Sequence, residues 1–203
     1  MGKYINGKKN RKGEEYNDYG NLIFKGEYIN GERNGKGIEY YQTYSGRFEG
    51  EYLNGKINGK GKVINEYGNI SFEGEYLNDQ RNGKGKKFDA SGVLLFEGEY
   101  LNQERNGKGK EYYENGKLCF EGEYFNDKKY LKGKQYNDYG ELIFEGEYLN
   151  GNRHGKGKEY NNGVLIFEVE YLNDKKFGKG KEYNDDGKLI FEGEYLNGKM
   201  KCD

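Results

Sequence analysis

This 203-residue chain has no proline and no tryptophan, two cysteines and one histidine. Without proline, the 35 glycines cannot belong to collagen or to a polyproline linker. Cys119 and Cys202 are too few for a disulfide framework, which points to a reducing, cytoplasmic setting. No apolar run approaches the ~20 residues that cross a bilayer. Met1-Gly2-Lys3-Tyr4-Ile5-Asn6-Gly7 lacks the apolar stretch of a signal peptide. Met1-Gly2 could start a myristoylation signal, but Asn6 stands where Ser or Thr is usual. An excess of charge of one sign is also missing. The 34 basic and 35 acidic residues leave a net charge of −1, so bulk electrostatics give no reason to expect nucleic acid as a partner. Hydrophobic residues at 33% against 34% charged would, alone, read as a disordered chain.

What is present argues for order. There are 22 Tyr and 11 Phe, and they recur at fixed intervals. Phe-Glu-Gly-Glu-Tyr, or a one-residue variant, begins at Phe24, Phe48, Phe72, Phe96, Phe120, Phe144, Phe167 and Phe191; the spacing is 24 residues except once, where it is 23. A Gly follows nine residues after each Tyr, from Gly37 to Gly180. Such periodicity marks a repeat architecture. Each copy holds two turn segments of the Asn-Gly kind, so each reads as a β-hairpin and the array as an antiparallel meander. The domain reading is one continuous array over residues 1–203. It comprises a partial copy 1–21, full copies of about 24 residues starting near 22, 46, 70, 94, 118, 142 and 165, and a truncated copy 189–203.

Alternation assigns the faces. Leu22, Phe24, Gly26 and Tyr28 share one face, and Ile23, Lys25, Glu27 and Ile29 share the other. A two-residue turn at Asn115-Gly116 sets Gly109 opposite Gly122, Lys108 opposite Glu123 and Lys110 opposite Glu121. In the other loop, a turn at Gly31-Glu32 sets Gly26 opposite Gly37 and Glu27 opposite Lys36. The alternative turn, Asn30-Gly31, shifts that register by two; the first is preferred because it pairs Glu with Lys on both sides of every first strand. The result is one face of rings and glycines and one of Glu and Lys rows. A glycine without Cβ leaves room for a neighbouring ring to lie across the strand, offsetting the usual cost of Gly there. The 23-residue copy should lack its residue in a turn, at Tyr160-Asn161-Asn162-Gly163-Val164, because a deletion within a strand would invert every following side chain.

These features resemble the MORN repeat, as in Phe144-Glu145-Gly146-Glu147-Tyr148-Leu149-Asn150-Gly151 followed by Gly155-Lys156-Gly157. The likeness extends over essentially the whole chain. Departures are Val169 for the first-strand Gly, Tyr44 for a turn Gly, and Arg11 and Leu131 for the first Gly of Gly-x-Gly; local distortion is expected in those copies. The resemblance implies an all-β, elongated, single-layer antiparallel sheet forming a twisted rod or groove. With about 17 strands at ~4.8 Å each, the rod would be ~80 Å long. Scaffolding, cytoskeletal or membrane tethering and phospholipid binding are the functions implied, together with an alternative as a regulatory region like that of phosphatidylinositol-phosphate kinases.

Catalysis needs a constellation that breaks the repeat, and no catalytic, cofactor or metal set stands out. His154 occupies an Asn column (Asn34, Asn58, Asn82, Asn106) and reads as turn packing. Cys119 lies in an aliphatic column and reads as a small packing residue, with Cys202 in an exposed tail. Gly-Lys-Gly lacks the remainder of a phosphate loop, and Asp185-Asp186-Gly187 reads as a hairpin turn. Two binding surfaces remain. The preferred one is the aromatic–Gly face, for a protein helix or extended segment, through Phe72, Tyr76, Phe96, Tyr100, Phe120, Tyr124, Phe144 and Tyr148. The alternative is anionic lipid at Lys60, Lys84, Lys108, Lys132 and Lys156. Self-association through the sheet ends is a further expectation, and peripheral attachment at a membrane or the cytoskeleton is compatible with either surface.

Overall fold

The fold rests on strands in which rings and glycines alternate with charged and aliphatic residues, a pattern suited to a pleated surface. A computed structural model describes residues 3–43 and 45–201; Met1, Gly2, Tyr44 and Cys202 therefore lie outside the described residues, and with them the myristoylation, turn-substitution and tail readings. The fold is all-β and antiparallel, and no helix occurs among the described residues. The chain divides into two compact units, residues 1–103 and 104–203. The first holds β1 (Lys3–Ile5), β2 (Lys8–Tyr16), β3 (Leu22–Ile29), β4 (Glu32–Tyr40), β5 (Arg47–Leu53), β6 (Lys56–Ile64), β7 (Ile70–Leu77), β8 (Gln80–Phe88) and β9 (Leu94–Leu101). The second holds β10 (Glu104–Tyr112), β11 (Leu118–Phe125), β12 (Lys128–Tyr136), β13 (Leu142–Leu149), β14 (Asn152–Asn161), β15 (Val164–Leu172), β16 (Lys175–Tyr183), β17 (Leu189–Leu196) and β18 (Lys199–Met200). Within each unit every strand pairs with its neighbours in sequence, a meander of hairpins.

Two loop types alternate. In the first, Asn30 and Gly31 both have positive φ (52° and 91°), the type I′ geometry that suits a two-residue hairpin. The turn is therefore Asn30-Gly31, not Gly31-Glu32. Gly26 nevertheless faces Gly37, because Tyr28 pairs with Arg33 and a bulge in β4 absorbs the two-residue shift. Glu27 and Lys36 do not stand opposite each other as expected. Instead the Glu27 carboxylate accepts a hydrogen bond from the Lys36 backbone N–H at 3.2 Å inside the bulge, and Glu51 and Glu75 do the same for Lys60 and Lys84 at 2.8 and 2.9 Å. The second loop type is longer than a two-residue hairpin. In Asn17–Asn21 the Asn17 side-chain oxygen accepts from the N–H groups of Tyr19 and Asn21, and Gly20 has φ 80°. Tyr113–Lys117 forms such a five-residue loop, so Asn115-Gly116 is not a two-residue turn there; a bulge at Glu111/Tyr112 keeps Gly109 opposite Gly122 and Lys108 opposite Glu123. The 23-residue copy loses its residue in this loop: Asn161 pairs with Val164 around a tight Asn162-Gly163 turn (φ 48° and 79°).

The core is a ladder of rings on one face. Phe24 meets Tyr28 edge-to-face at 5.6 Å and Tyr52 of the next copy at 5.1 Å. Phe120 meets Tyr124 and Tyr148 in the same manner at 5.7 and 5.3 Å. Each such pair contributes ~0.5–1.5 kcal/mol beyond area burial. The tip of each Phe ring lies over a glycine pair. A Cβ at Gly26 would sit 2.7 Å from Phe24 Cζ and 2.7 Å from Gly37 Cα, so no side chain fits. Val169 alters this arrangement. Its own side chain covers Gly180, Phe167 is left half-buried, and Phe167 joins no ring pair among the described residues. The expected distortion at Arg11 and Leu131 takes a definite form: they adopt φ 65° and 53°, in the left-handed region that Gly35 and Gly155 occupy in other copies. Such a conformation costs a non-Gly residue ~1–2 kcal/mol.

Burial raises the pKa of the core tyrosines: Tyr148 is pushed up to about 12, and Tyr28, Tyr52, Tyr76, Tyr124 and Tyr171 shift in the same direction.

Leu131→Gly should raise the urea midpoint, with unfolding free energy greater by up to ~1 kcal/mol once the extra chain entropy of Gly is subtracted from the relieved strain. An unchanged or lower midpoint would refute strain at that position. Gly74→Ala should lower stability by ~1–3 kcal/mol in the same assay, because the methyl meets backbone at Gly85 Cα and the Lys84 carbonyl, both at 2.7 Å. Because folding favours the neutral core phenols, their contribution is fully present below about pH 10, where unfolded tyrosines are also neutral, and is lost as pH rises toward 12. Circular dichroism should therefore change together with the phenolate absorbance of the buried tyrosines in an alkaline titration; ionisation of those tyrosines with the fold intact would contradict this.

Candidate interaction faces

On the aromatic face, the eight rings singled out from the sequence, Phe72, Tyr76, Phe96, Tyr100, Phe120, Tyr124, Phe144 and Tyr148, are core, none more than 8% exposed. In each unit they form a floor, and other side chains cover it. The Arg33 guanidinium carbon stands 4.1 Å from the Phe24 ring centroid, and that of Arg153 stands 4.1 Å from Phe144. Arg105 lies over Tyr124 at 4.8 Å and Lys129 over Phe120 at 4.2 Å. The attraction of a cation for a ring face is worth ~0.5–2 kcal/mol, most where water is excluded. Position explains the contact: the hairpin register sets Arg33 opposite Tyr28 and Arg153 opposite Tyr148.

Carboxylates complete these rows. Arg33 holds Glu39 at 2.8 Å and Glu15 at 2.7 Å. Glu111 bridges Arg105 and Lys129, and Glu159 bridges Arg153 and Lys176 at 3.0 and 3.2 Å. Burial works against the charge on Arg33, but Glu15 and Glu39 outweigh it and its pKa is raised; Glu15 is correspondingly held low by Arg33 against its own burial. Both partners are mostly covered, so these pairs are better shielded from solvent than ordinary surface ion pairs. The sequence reading did not single out these residues. A signal was present, since Arg33, Arg81, Arg105 and Arg153 recur at multiples of the repeat length.

The opposite face carries the lysine column. Lys60, Lys84, Lys108, Lys132 and Lys156 are all exposed, and among the described residues none joins an ion pair. Their backbones do stand opposite glutamates, as with Lys60 and Glu75 or Lys132 and Glu147. The ion pairs on this face form in the next column instead: Lys62 with Glu49 at 3.1 Å and Lys158 with Glu168 at 3.7 Å. Beside the lysines runs one exposed aliphatic or aromatic side chain per copy, including Ile29, Leu53 and Leu77 in the first unit and Phe125 and Leu149 in the second.

His154 is half-buried in its turn column, and its Nδ1 has no hydrogen-bond partner among the described residues. Cys119 is a half-buried free thiol. Among the described residues no cluster of three His, Cys, Asp or Glu side chains could hold a metal ion, and no helix is long and apolar enough to cross a membrane.

No curated protein sequence matches this chain. Comparison with sequence families matches the MORN repeat at residues 24–46, 48–64, 72–93, 96–117, 144–164 and 170–188, more than half of the chain. The stretch between the fourth and fifth matches contains Leu131, where the Gly-x-Gly is lost. With six matches that follow the hairpins of both units, the chain belongs to the MORN-repeat family.

Proposed function

We propose that the chain is a non-catalytic scaffold or adaptor that binds a protein partner, as a helix or extended segment, along its aromatic–Gly face. The observation that carries this reading is the regular layer of Arg, Lys and Glu side chains held over the ring floor. A buried floor of interlocked rings is rigid, and the charged layer on it offers directional hydrogen bonds at a fixed spacing. Together these supply the pre-ordered mixture of aromatic and Arg groups that favours protein contacts. The partner would touch the charged layer and the ring edges between its members, so Phe120, Tyr124, Phe144 and Tyr148 act as support. A cytoplasmic role, peripheral at a membrane or the cytoskeleton, suits such an adaptor.

A second reading assigns the opposite face to anionic lipid. Its support is the exposed lysine column beside a row of exposed apolar side chains, a combination that suits a headgroup layer. Net charge of −1 limits long-range attraction to such a surface.

Photo-cross-linking residues introduced in place of Lys129 or Arg153 on one face, or Lys132 or Lys156 on the other, distinguish the readings. Covalent protein adducts are expected from the first pair and not from the second. Adducts confined to Lys132 and Lys156, together with salt-sensitive binding to phosphatidylserine vesicles, would replace the scaffold reading with the lipid one.

A further inference from the structure

The charged rows on the aromatic face break in one place. Arg33 is met by two carboxylates, one eighteen residues before it (Glu15) and one six residues after it (Glu39), and Arg105 shows a third acid position twenty-two residues on, Asp127 at 3.0 Å. At Arg81 all three positions have lost their acid. Val63 stands eighteen residues before, Lys87 six residues after, and Gln103 twenty-two residues after. Arg81 keeps its place over the floor, 5.1 Å from the Phe72 centroid and 5.3 Å from Tyr100. Its only partner among the described residues beyond the rings is Gln103, whose Oε1 accepts from Nε at 2.9 Å. Lys87 is exposed and joins no ion pair or hydrogen bond among the described residues. Ile57 stands in the Arg column one copy earlier, and Val63 and Lys87 stand opposite Phe72 on its two sides.

From this break we infer that Arg81 and Lys87 form the anchoring subsite for an acidic side chain of the partner segment, with Ile57 and Val63 receiving an aliphatic neighbour. The inference rests on the scaffold reading and gives it a specificity. Repeat equivalence supplies the geometry: at the same two positions Arg33 and Glu39 touch at 2.8 Å, and Arg153 and Glu159 at 3.0 Å. A carboxylate brought by the partner would take the place that the chain's own glutamate holds elsewhere, between a guanidinium already fixed over rings and an ammonium free to turn toward it. Arg is suited to bidentate recognition of a planar carboxylate. Ile57 and Val63 favour a peptide over a bare anion, because an inorganic ion gains nothing from apolar contact.

The full chain, labelled for amide NMR, is titrated with a dodecapeptide carrying one central Glu between Leu and Ile, and with its Gln counterpart. Shifts centred on Val63, Arg81 and Lys87 are expected for the Glu peptide, with affinity about tenfold or more weaker for the Gln peptide. Lys87→Glu is the decisive variant. It supplies Arg81 with an acid of its own, as in the other copies, so thermal stability should hold or rise while affinity for the Glu peptide falls about tenfold or more. Arg81→Gln should also abolish binding and serves as the second variant. The inference is overturned if Lys87→Glu binds undiminished, if the peptide binds elsewhere on the face, or if it does not bind. It is equally overturned if inorganic phosphate or phosphatidylserine vesicles, but not the peptide, move these amides. Binding elsewhere on the same face would leave the scaffold reading standing, whereas protein adducts only from Lys132 and Lys156 would remove that reading itself.

Discussion

A phenylalanine ring lying where two facing glycines have no Cβ is the contact on which the rest of this structure depends. Facing pairs such as Gly26 and Gly37, or Gly122 and Gly133, admit the tips of Phe24 and Phe120. Each Phe then meets the Tyr of its own copy and of the next, so neighbouring hairpins are joined through rings as well as through backbone hydrogen bonds. This lets a chain with only 33% hydrophobic residues bury a core. The copy with Val169 is informative: one side chain fills the glycine gap, and the neighbouring Phe leaves the ladder. Coupling between adjacent copies should dominate the stability of such an array.

The ring floor also determines where charge can go. Cations such as Arg33 are held over ring faces and bridged by carboxylates, which compensates for their partial removal from water. On the other face the lysine column projects into solvent, and the glutamates beside it spend their acceptors on backbone N–H groups of the bulge. The two faces are thus chemically different although both are rich in Lys and Glu. One has charges held over an apolar floor, the other has exposed lysines beside exposed aliphatic side chains.

Much of this was legible in the repeat. Strand alternation identifies the ring–glycine face, whereas the facing of Gly109 with Gly122 and of Lys108 with Glu123, expected from a two-residue Asn115-Gly116 turn, holds because a bulge offsets the longer loop. The loss of one residue near Asn161 falls in a loop because a strand cannot lose one without inverting its faces. The bulge was not legible. On a regular ladder an Asn30-Gly31 turn excludes the Gly26–Gly37 pair, whereas the two coexist because β4 carries extra residues. Nor could alternation show that the rings would be covered. Arg33, set opposite Tyr28, lies over Phe24, so the aromatic face presents cations and carboxylates with the rings beneath.

The most direct test of the ring–glycine contact is the proton NMR spectrum of the glycine pairs. Ring-current theory requires a strong upfield shift for an α-proton of Gly26, Gly74, Gly122 and Gly146, with cross-relaxation to the tip protons of Phe24, Phe72, Phe120 and Phe144. Shifts near the values of unstructured glycine, without cross-relaxation to those rings, would contradict the account.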